Sequence, residues 1–147
     1  MGFPPKFIVA IIAIFWLCSI ARCVPDTNVT TVLCNSGVYS QGDPFVTSLN
    51  YVVAELESVT PTYKNYDYYN ISPYPNAFAY GHAACNLNIT SSDCTTCLTA
   101  AKTAMFGTCK SQIGARAVLH DCNIRMCCIY PYKAIMHPSL NALIASA

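Results

Sequence analysis

Apolar positions recur with helical spacing in the first half of the chain. Between residues 44 and 59 they fall at alternating steps of four and three, which predicts an amphipathic helix over roughly residues 44–58. Asp43 is a favourable N-cap, and Pro44 suits the first helical position, where its missing N–H costs nothing. Pro61 should end the helix. The apolar face consists of Phe45, Leu49, Val52, Leu56 and Val59.

A second helical stripe follows near Ser91. We expect Ser91 or Ser92 to cap this helix, Asp93 to lie at the positive end of its dipole, and Gly107 to close it near Cys109. The spacing places two cysteines near each other on the inward face. The stripe contains Cys94, Cys97, Leu98, Ala101, Met105 and Phe106.

The other apolar runs are short and predict strands. Taken in order, one helix, one strand, one helix and then further strands favour an α+β fold with an antiparallel sheet. The predicted strands are an edge strand in Val24–Leu33, a strand at Ala77–Ala84, and a pair, Ala115–Leu119 and Cys122–Tyr130, that turns at His120-Asp121.

The segment Thr62–Tyr80 is unusually rich in tyrosine. Tyrosine rings in a loop can bind sugars or partner proteins, because each ring is apolar and ends in a polar hydroxyl. We favour the alternative, in which the rings pack a loop or strand against a small core. The tyrosines are Tyr63, Tyr66, Tyr68, Tyr69, Tyr74 and Tyr80.

The N-terminus has the features of a secretory signal peptide. Lys6 precedes an apolar run, Phe7–Ile20, that is shorter than the roughly 20 residues needed to span a bilayer. We therefore expect residues 1–23 to be a signal peptide, residues 24–133 to form one domain and residues 134–147 to be a tail. This organisation predicts a secreted, apoplastic protein with no membrane span in the mature chain.

The charge balance of the mature part excludes two classes of partner. Removing Lys6 and Arg22 from the eight basic residues leaves six, against seven acidic residues. A nucleic-acid-binding domain requires a basic patch, and attachment to anionic lipids requires a polybasic segment. The mature chain has neither, so we expect no nucleic-acid partner.

Cysteine content is the strongest compositional signal. Of ten cysteines, Cys18 and Cys23 fall in the predicted signal peptide, which leaves eight. An even number of cysteines in a short secreted chain indicates disulfide bridges. Three N-x-S/T sequons, at Asn28, Asn70 and Asn88, agree with secretion and are predicted glycosylation sites.

A metal site or a reactive thiol is the competing interpretation of these cysteines. Cys94 and Cys97, with His82, His120 or His137, are residue types that bind zinc. Bridged cysteines in a secreted chain disfavour that role, and the sequence has no nucleophile elbow, phosphate loop or paired-carboxylate motif. We expect no enzymatic activity, no catalytic residue, no metal ligand and no cofactor.

The spacing Cys85-x8-Cys94-x2-Cys97 resembles the ginkbilobin-type, or stress-antifungal, domain of land plants. The resemblance extends from about Cys34 to Cys128. It includes Cys34-Asn35, Asp43-Pro44-Phe45, the run Tyr80 to Cys85, the run Ser92 to Leu98, Ile113-Gly114-Ala115-Arg116 and Asp121-Cys122.

This resemblance implies both a fold and a disulfide pattern. The fold is two helices packed on a five-stranded antiparallel sheet. Cysteine arithmetic alone leaves the connectivity open. The bridges that the resemblance implies are Cys34–Cys109, Cys85–Cys94 and Cys97–Cys122.

The resemblance also implies a mannose site built from an Asn, an Arg and a Glu. Asn35 and Arg116 match the first two positions, but Cys127 stands where the acid is expected. No acidic residue follows Asp121, so a small shift of register cannot restore the carboxylate. A thiol is a weak acceptor, and we therefore expect mannose binding to be weakened or lost.

The function implied is that of a secreted plant defence protein with antifungal-type, mannose-binding activity. The alternative is an apoplastic protein-interaction or signalling module that binds no sugar. Cys127 and Cys128 lie outside the implied bridges. They could form a vicinal bridge, link two chains into a homodimer, or remain reduced.

Overall fold

The computed structural model describes residues 24–75 and 77–129. The predicted signal peptide, Tyr130 at the predicted end of the last strand, the tail and His137 lie outside the described residues. Neither helix in the described part is both long enough and apolar enough to cross a bilayer.

The described chain forms two helices and one five-stranded antiparallel sheet, which confirms the expected α+β fold. The strand order is β1-β4-β5-β3-β2, so β1 and β2 are the edges. The strands are β1 (Val29–Cys34), β2 (Asp67–Ile71), β3 (Phe78–Cys85), β4 (Ala115–Leu119) and β5 (Cys122–Ile129). The helices are α1 (Pro44–Val59) and α2 (Ser91–Thr108).

Helix α1 forms as its sequence predicts. The side chain of Asp43 caps it by accepting a hydrogen bond from the N–H of Phe45, and Pro44 occupies the first helical position. The helix ends at Val59, and Pro61 lies in a short 3₁₀ turn at Thr60–Thr62. The buried face contains Phe45, Leu49, Val52 and Leu56, together with Ser48 and Val53.

Helix α2 ends near Cys109 as predicted, but it differs from its prediction in its N-cap and in the role of Gly107. The N-cap is Thr90, not Ser91 or Ser92. Its hydroxyl accepts a hydrogen bond from the N–H of Asp93 and donates one to the Asp93 carboxylate, which holds the capping hydroxyl in place. Gly107 does not close the helix, because regular hydrogen bonding continues to Thr108 and the N–H of Cys109 still reaches Met105.

Two strands begin later than predicted. The edge strand starts at Val29, because residues 26–28 are held by side chains instead of a strand partner. Asp26 donates its N–H to the Asp121 carboxylate, and Asn28 donates its N–H to Asp26. Strand β3 is shifted by one residue from the predicted 77–84.

The tyrosine-rich segment supplies β2 and divides its rings between two faces. Tyr66 and Tyr68 pack partly buried against the core, as the packing interpretation predicts. Tyr69 lies on the opposite face and is 49% exposed. The alternation follows from the period of two along a strand.

One face of the sheet, here called the inner face, packs against both helices. Its residues are mostly small, and Gly81 permits the closest approach. A Cβ at position 81 would come within 2.6 Å of the Leu56 side chain and 2.7 Å of Val52. This contact sets the distance between α1 and the sheet.

Three disulfides join the elements around this core. They are Cys34–Cys109, Cys85–Cys94 and Cys97–Cys122, the same pairs that the resemblance implies. The first connects β1 to the end of α2, and the other two connect α2 to β3 and β5. One edge strand, β1, and two interior strands, β3 and β5, are thereby linked covalently to α2.

Candidate functional site

The face of the sheet opposite the helices, here called the outer face, has a different composition. Pairing register places one residue from each strand in a continuous row across it. From β1 to β2 the row reads Leu33, Arg116, Arg125, His82 and Tyr69. Two cations and two aromatic rings therefore lie side by side on the sheet.

An open cavity of about 240 Å³ lies on this face, where β1, β4 and β5 meet. It contains all three positions that the sequence singled out: Asn35, Arg116 and Cys127. None of the residues that line it is acidic. They are Leu33, Asn35, Gly114, Ala115, Arg116, Arg125, Met126 and Cys127.

Asn35 is positioned by backbone contacts directly after β1. Its N–H donates to the carbonyl of Gly114 at 2.9 Å. Its side chain lies over Gly114, since a Cβ there would come within 2.7 Å of the Asn35 amide nitrogen. With a Cβ at position 114, the side-chain amide of Asn35 would have to move from its present place in the cavity.

Arg116 and Arg125 are direct partners in the pairing of β4 with β5. Both side chains are partly buried. Within residues 24–75 and 77–129, the buried Nε atom of each has no hydrogen-bond partner. Two guanidinium groups thus share one side of the cavity, and each retains an unused donor.

Cys127 lies on the same side of β5 as Arg125, two residues further along, and it is exposed at the cavity. The position at which the resemblance implies an acid is therefore spatially part of the site. The side chain of Cys128 lies outside the described residues, and the fate of the predicted extra bridge stays untested.

His82 and Tyr69 continue the outer face beyond the arginines. The Nε2 atom of His82 lies 2.8 Å from the Asp67 carboxylate, and its ring stacks on Tyr69 with centroids 4.0 Å apart. Tyr69 also stacks on Tyr80 at 6.4 Å. Burial lowers the pKa of His82, Asp67 raises it in part, and the two nearby arginines lower it further. At neutral pH this imidazole is uncharged.

Sequence reasoning missed Arg125, Gly114 and the His82 and Tyr69 rings as neighbours of the site. One signal could have found Arg125. It lies two residues before Cys127 on a predicted strand, so the two side chains must share a face. The row from His82 to Tyr69 depends on the pairing of β3 with both β2 and β5, which the sequence did not specify.

The other residues considered for chemistry lie elsewhere. Cys94 and Cys97 contribute their sulfur atoms to disulfides with different partners. His120 lies on the β4–β5 turn, where it contacts the Asp121 carboxylate at 3.1 Å. That carboxylate also accepts the N–H of Asp26, and this hydrogen bond lowers the pKa of Asp121. The cluster fixes the N-terminal segment to the turn.

The three sequons differ in accessibility. Asn28 and Asn88 are exposed. The amide nitrogen of Asn70, the atom to which a glycan would attach, is buried within β2. Asn70 uses its amide oxygen to accept the N–H of Ile71. The fold therefore presents two of the three predicted glycosylation sites to solvent.

The chain is similar in sequence to a known protein family and to antifungal proteins of plants. The family model described as salt stress response/antifungal matches residues 33–127. Antifungal protein ginkbilobin-like protein 1 of Picea sitchensis is 36% identical over 121 residues, which are 81% of this chain and 90% of that protein. Antifungal protein ginkbilobin-2 of Ginkgo biloba is 34% identical over 102 residues, or 68% of this chain and 75% of that protein.

Solved structures show the same fold. The tandem DUF26 ectodomain of the cysteine-rich receptor-like protein PDLP5 of Arabidopsis thaliana superposes with a TM-score of 0.62 at 19% identity. The ectodomain of PDLP8 from the same plant gives 0.58 at 26% identity. The matched part is 68% and 70% of this chain but only 49% and 45% of those tandem proteins.

The family model covers most of the chain, and a relative more than one-third identical is matched over nine-tenths of its length. The chain therefore belongs to the salt stress response/antifungal family.

Proposed function

We propose that this protein is an extracellular, non-enzymatic plant defence module of antifungal type that binds cell-wall carbohydrate in the outer-face cavity. The observation that carries the proposal is the convergence of Asn35 and Arg116 in one cavity on an exposed sheet face. Asn35 directly follows β1 and Arg116 lies in β4. The two residues are distant in sequence, and the pairing of β1 with β4 brings them together.

The chemistry of the cavity suits a sugar. Sugar hydroxyls both donate and accept hydrogen bonds, and an amide does the same, while a guanidinium is a strong donor. The cavity has no carboxylate to accept from hydroxyls. Loss of one charge-assisted hydrogen bond costs about 1.5–3 kcal/mol, which is more than tenfold in affinity. Mannose should accordingly bind weakly.

The extracellular location is supported by the disulfides and by the relatives. Three bridges in a domain of this size are typical of oxidising compartments. The relatives are named antifungal proteins, and the structural neighbours are named ectodomains. A signal peptide at residues 1–23 and glycans at Asn28 and Asn88 complete the proposal.

A binding experiment with oxidised residues 24–147 tests this function. The protein is applied to a glycan array that includes fungal mannans, glucans and acidic plant polysaccharides, alongside a fungal growth assay. We expect binding that falls at least tenfold in Asn35→Ala and in Arg116→Ala. Lys64→Ala, which removes an exposed cation near the β2 edge, should bind like wild type.

Absence of binding to every glycan, without inhibition of fungal growth, would contradict the proposal. The interaction-module alternative has its own measurement, which is gel mobility with and without reductant. A species of twice the mass that disappears on reduction would indicate a disulfide-linked homodimer. Cys127 lies at the cavity, so a link through it to a second chain would cover the site.

A further inference from the structure

The cross-strand pair of Arg116 and Arg125 lowers the stability of the folded protein. Like charges directly opposite on neighbouring strands destabilise a sheet. Among the described residues, no carboxylate lies within ion-pair distance of Arg116 or Arg125; the basic side chains that contact a carboxylate there are His82, Lys102 and His120. The acid on β2, Asp67, is hydrogen-bonded to His82. The positive charge at the cavity is therefore uncompensated within this region.

The two guanidinium groups also retain donors that nothing in the described region uses. Each buried Nε atom lacks a hydrogen-bond partner. A buried donor without a partner loses stabilisation that it had in water. A group in the cavity that brought negative charge to both arginines would offset the repulsion between them. A carboxylate fits, since its two oxygens match the fork of a guanidinium.

We propose that the cavity binds a carboxylate-bearing sugar, a uronate within an oligosaccharide, with Arg116 and Arg125 holding the carboxylate and Asn35 holding hydroxyls. This inference rests on the proposed carbohydrate function and narrows its ligand class from neutral to acidic sugars. Arg125 is thereby assigned a binding role that the expected Asn-Arg-Glu set does not contain.

Three features favour a sugar over other anions. The Asn35 amide beside the arginines can pair with hydroxyl groups. The cavity, at about 240 Å³, is smaller than the ~300–1,000 Å³ typical of drug-sized ligands and suits one ring of a longer chain. Tyr80 on β3 pairs directly with Cys127 on β5, and the Tyr80 ring stacks on the ring of Tyr69. These rings offer apolar surface to adjacent sugar units.

The residue at position 127 agrees with this assignment. It lines the same cavity as the two arginines. A glutamate there would place a negative charge beside a bound carboxylate and repel it. A cysteine at this position supplies no carboxylate to the two arginines. Cys127→Glu should therefore shift preference from acidic to neutral sugars, and Cys127→Ser controls for loss of the thiol itself.

The test uses isothermal titration calorimetry on oxidised residues 24–147 with four probes: tri-galacturonic acid, its methyl ester, mannotriose and a tri-glutamate peptide. We expect wild type to bind the acid and to bind its methyl ester about 10- to 100-fold more weakly, because esterification removes the charge. Arg125→Ala should lose about the same factor for the acid, Arg125→Lys less, and Lys64→Ala none. Binding should weaken as salt rises.

The outcomes separate this inference from the function on which it rests. Equal affinity for acid and ester, or full affinity in Arg125→Ala, would overturn the inference. If mannotriose then binds through Asn35 and Arg116, the carbohydrate function survives alone. If no saccharide binds, both fail. Equal binding of the tri-glutamate peptide would overturn the sugar assignment. Thermal unfolding of each variant confirms that it is folded.

Discussion

The two faces of the sheet differ in residue composition and in what covers them. The inner face carries small and apolar residues such as Ala79, Gly81 and Ala83, and it is sealed by helices and disulfides. The outer face carries arginines, histidine and tyrosine, and within the described residues neither α1 nor α2 covers it. Adjacent residues of one strand contribute to opposite faces, so the same strands serve both purposes. Stability should depend on one face and ligand binding on the other.

On the inner face, we expect the largest loss of stability from removing the bridge Cys34–Cys109. It joins residues 75 positions apart, against 25 and 9 for the other two bridges. The chain-entropy relation gives about 4.5 kcal/mol for the longest loop and about 3.5 and 2.7 for the others. We expect the double Cys→Ala variants to lose stability in that order, measured by denaturant unfolding. Equal losses for all three would show that loop length is not the cause.

A glycine pair tests the packing of the inner face with opposite expected signs. Gly81→Ala should destabilise by about 1–3 kcal/mol, because its Cβ would overlap Leu56 and Val52. Gly107→Ala has open space around it in α2 and should stabilise by up to about 1 kcal/mol. Thermal and denaturant unfolding measure both. A neutral Gly81→Ala would mean that α1 can move away from the sheet without cost.

The arginine pair tests the outer face. Arg116→Ala and Arg125→Ala should leave the free energy of unfolding unchanged or raise it by up to about 1 kcal/mol, because each removes a like-charge neighbour. The same variants should lose ligand affinity. Denaturant unfolding at low salt is the measurement. A loss above about 1 kcal/mol would assign the arginines a structural role and weaken the contrast between the faces.

The smallest expected effect is the dependence of the free energy of unfolding on pH, which His82 causes. Its pKa is lowered in the folded protein, mainly by burial, so the unfolded chain binds the proton more readily. Stability should therefore fall as the pH drops below the ordinary value of about 6.5. His82→Gln should remove this slope. Glu57 and Asp121, whose pKa values also lie below normal, affect stability only at lower pH.

Much of the inner face could be predicted because its information is local. The apolar steps from Phe45 to Leu56 and the Asp43-Pro44 start define α1 from sequence alone. The end of α2 near Cys109 was predicted correctly, but Gly107 lies inside the helix instead of closing it, because a glycine within a helix costs only about 1 kcal/mol. Thr90 was missed because Ser91 and Ser92 are equally good caps by residue type.

The site could be predicted only in part. Asn35, Arg116 and position 127 came from the family pattern, and they do lie together. Arg125, His82 and Tyr69 join them through register between strands that are distant in sequence. Register of this kind follows from the whole sheet, since a shift of one residue would move every side chain to the other face.

The position of β1 also has a consequence for how the molecule is made. This strand is the first along the chain, yet its only strand partner among the described residues is β4. Non-local pairing of this kind forms late, because the intervening loop must close first. During synthesis the early segment that carries Asn35 waits for nearly the whole domain to emerge. The cavity thus cannot form before β4 and β5 have been made, and a chain cut short before β4 would lack Arg116, Arg125 and Cys127.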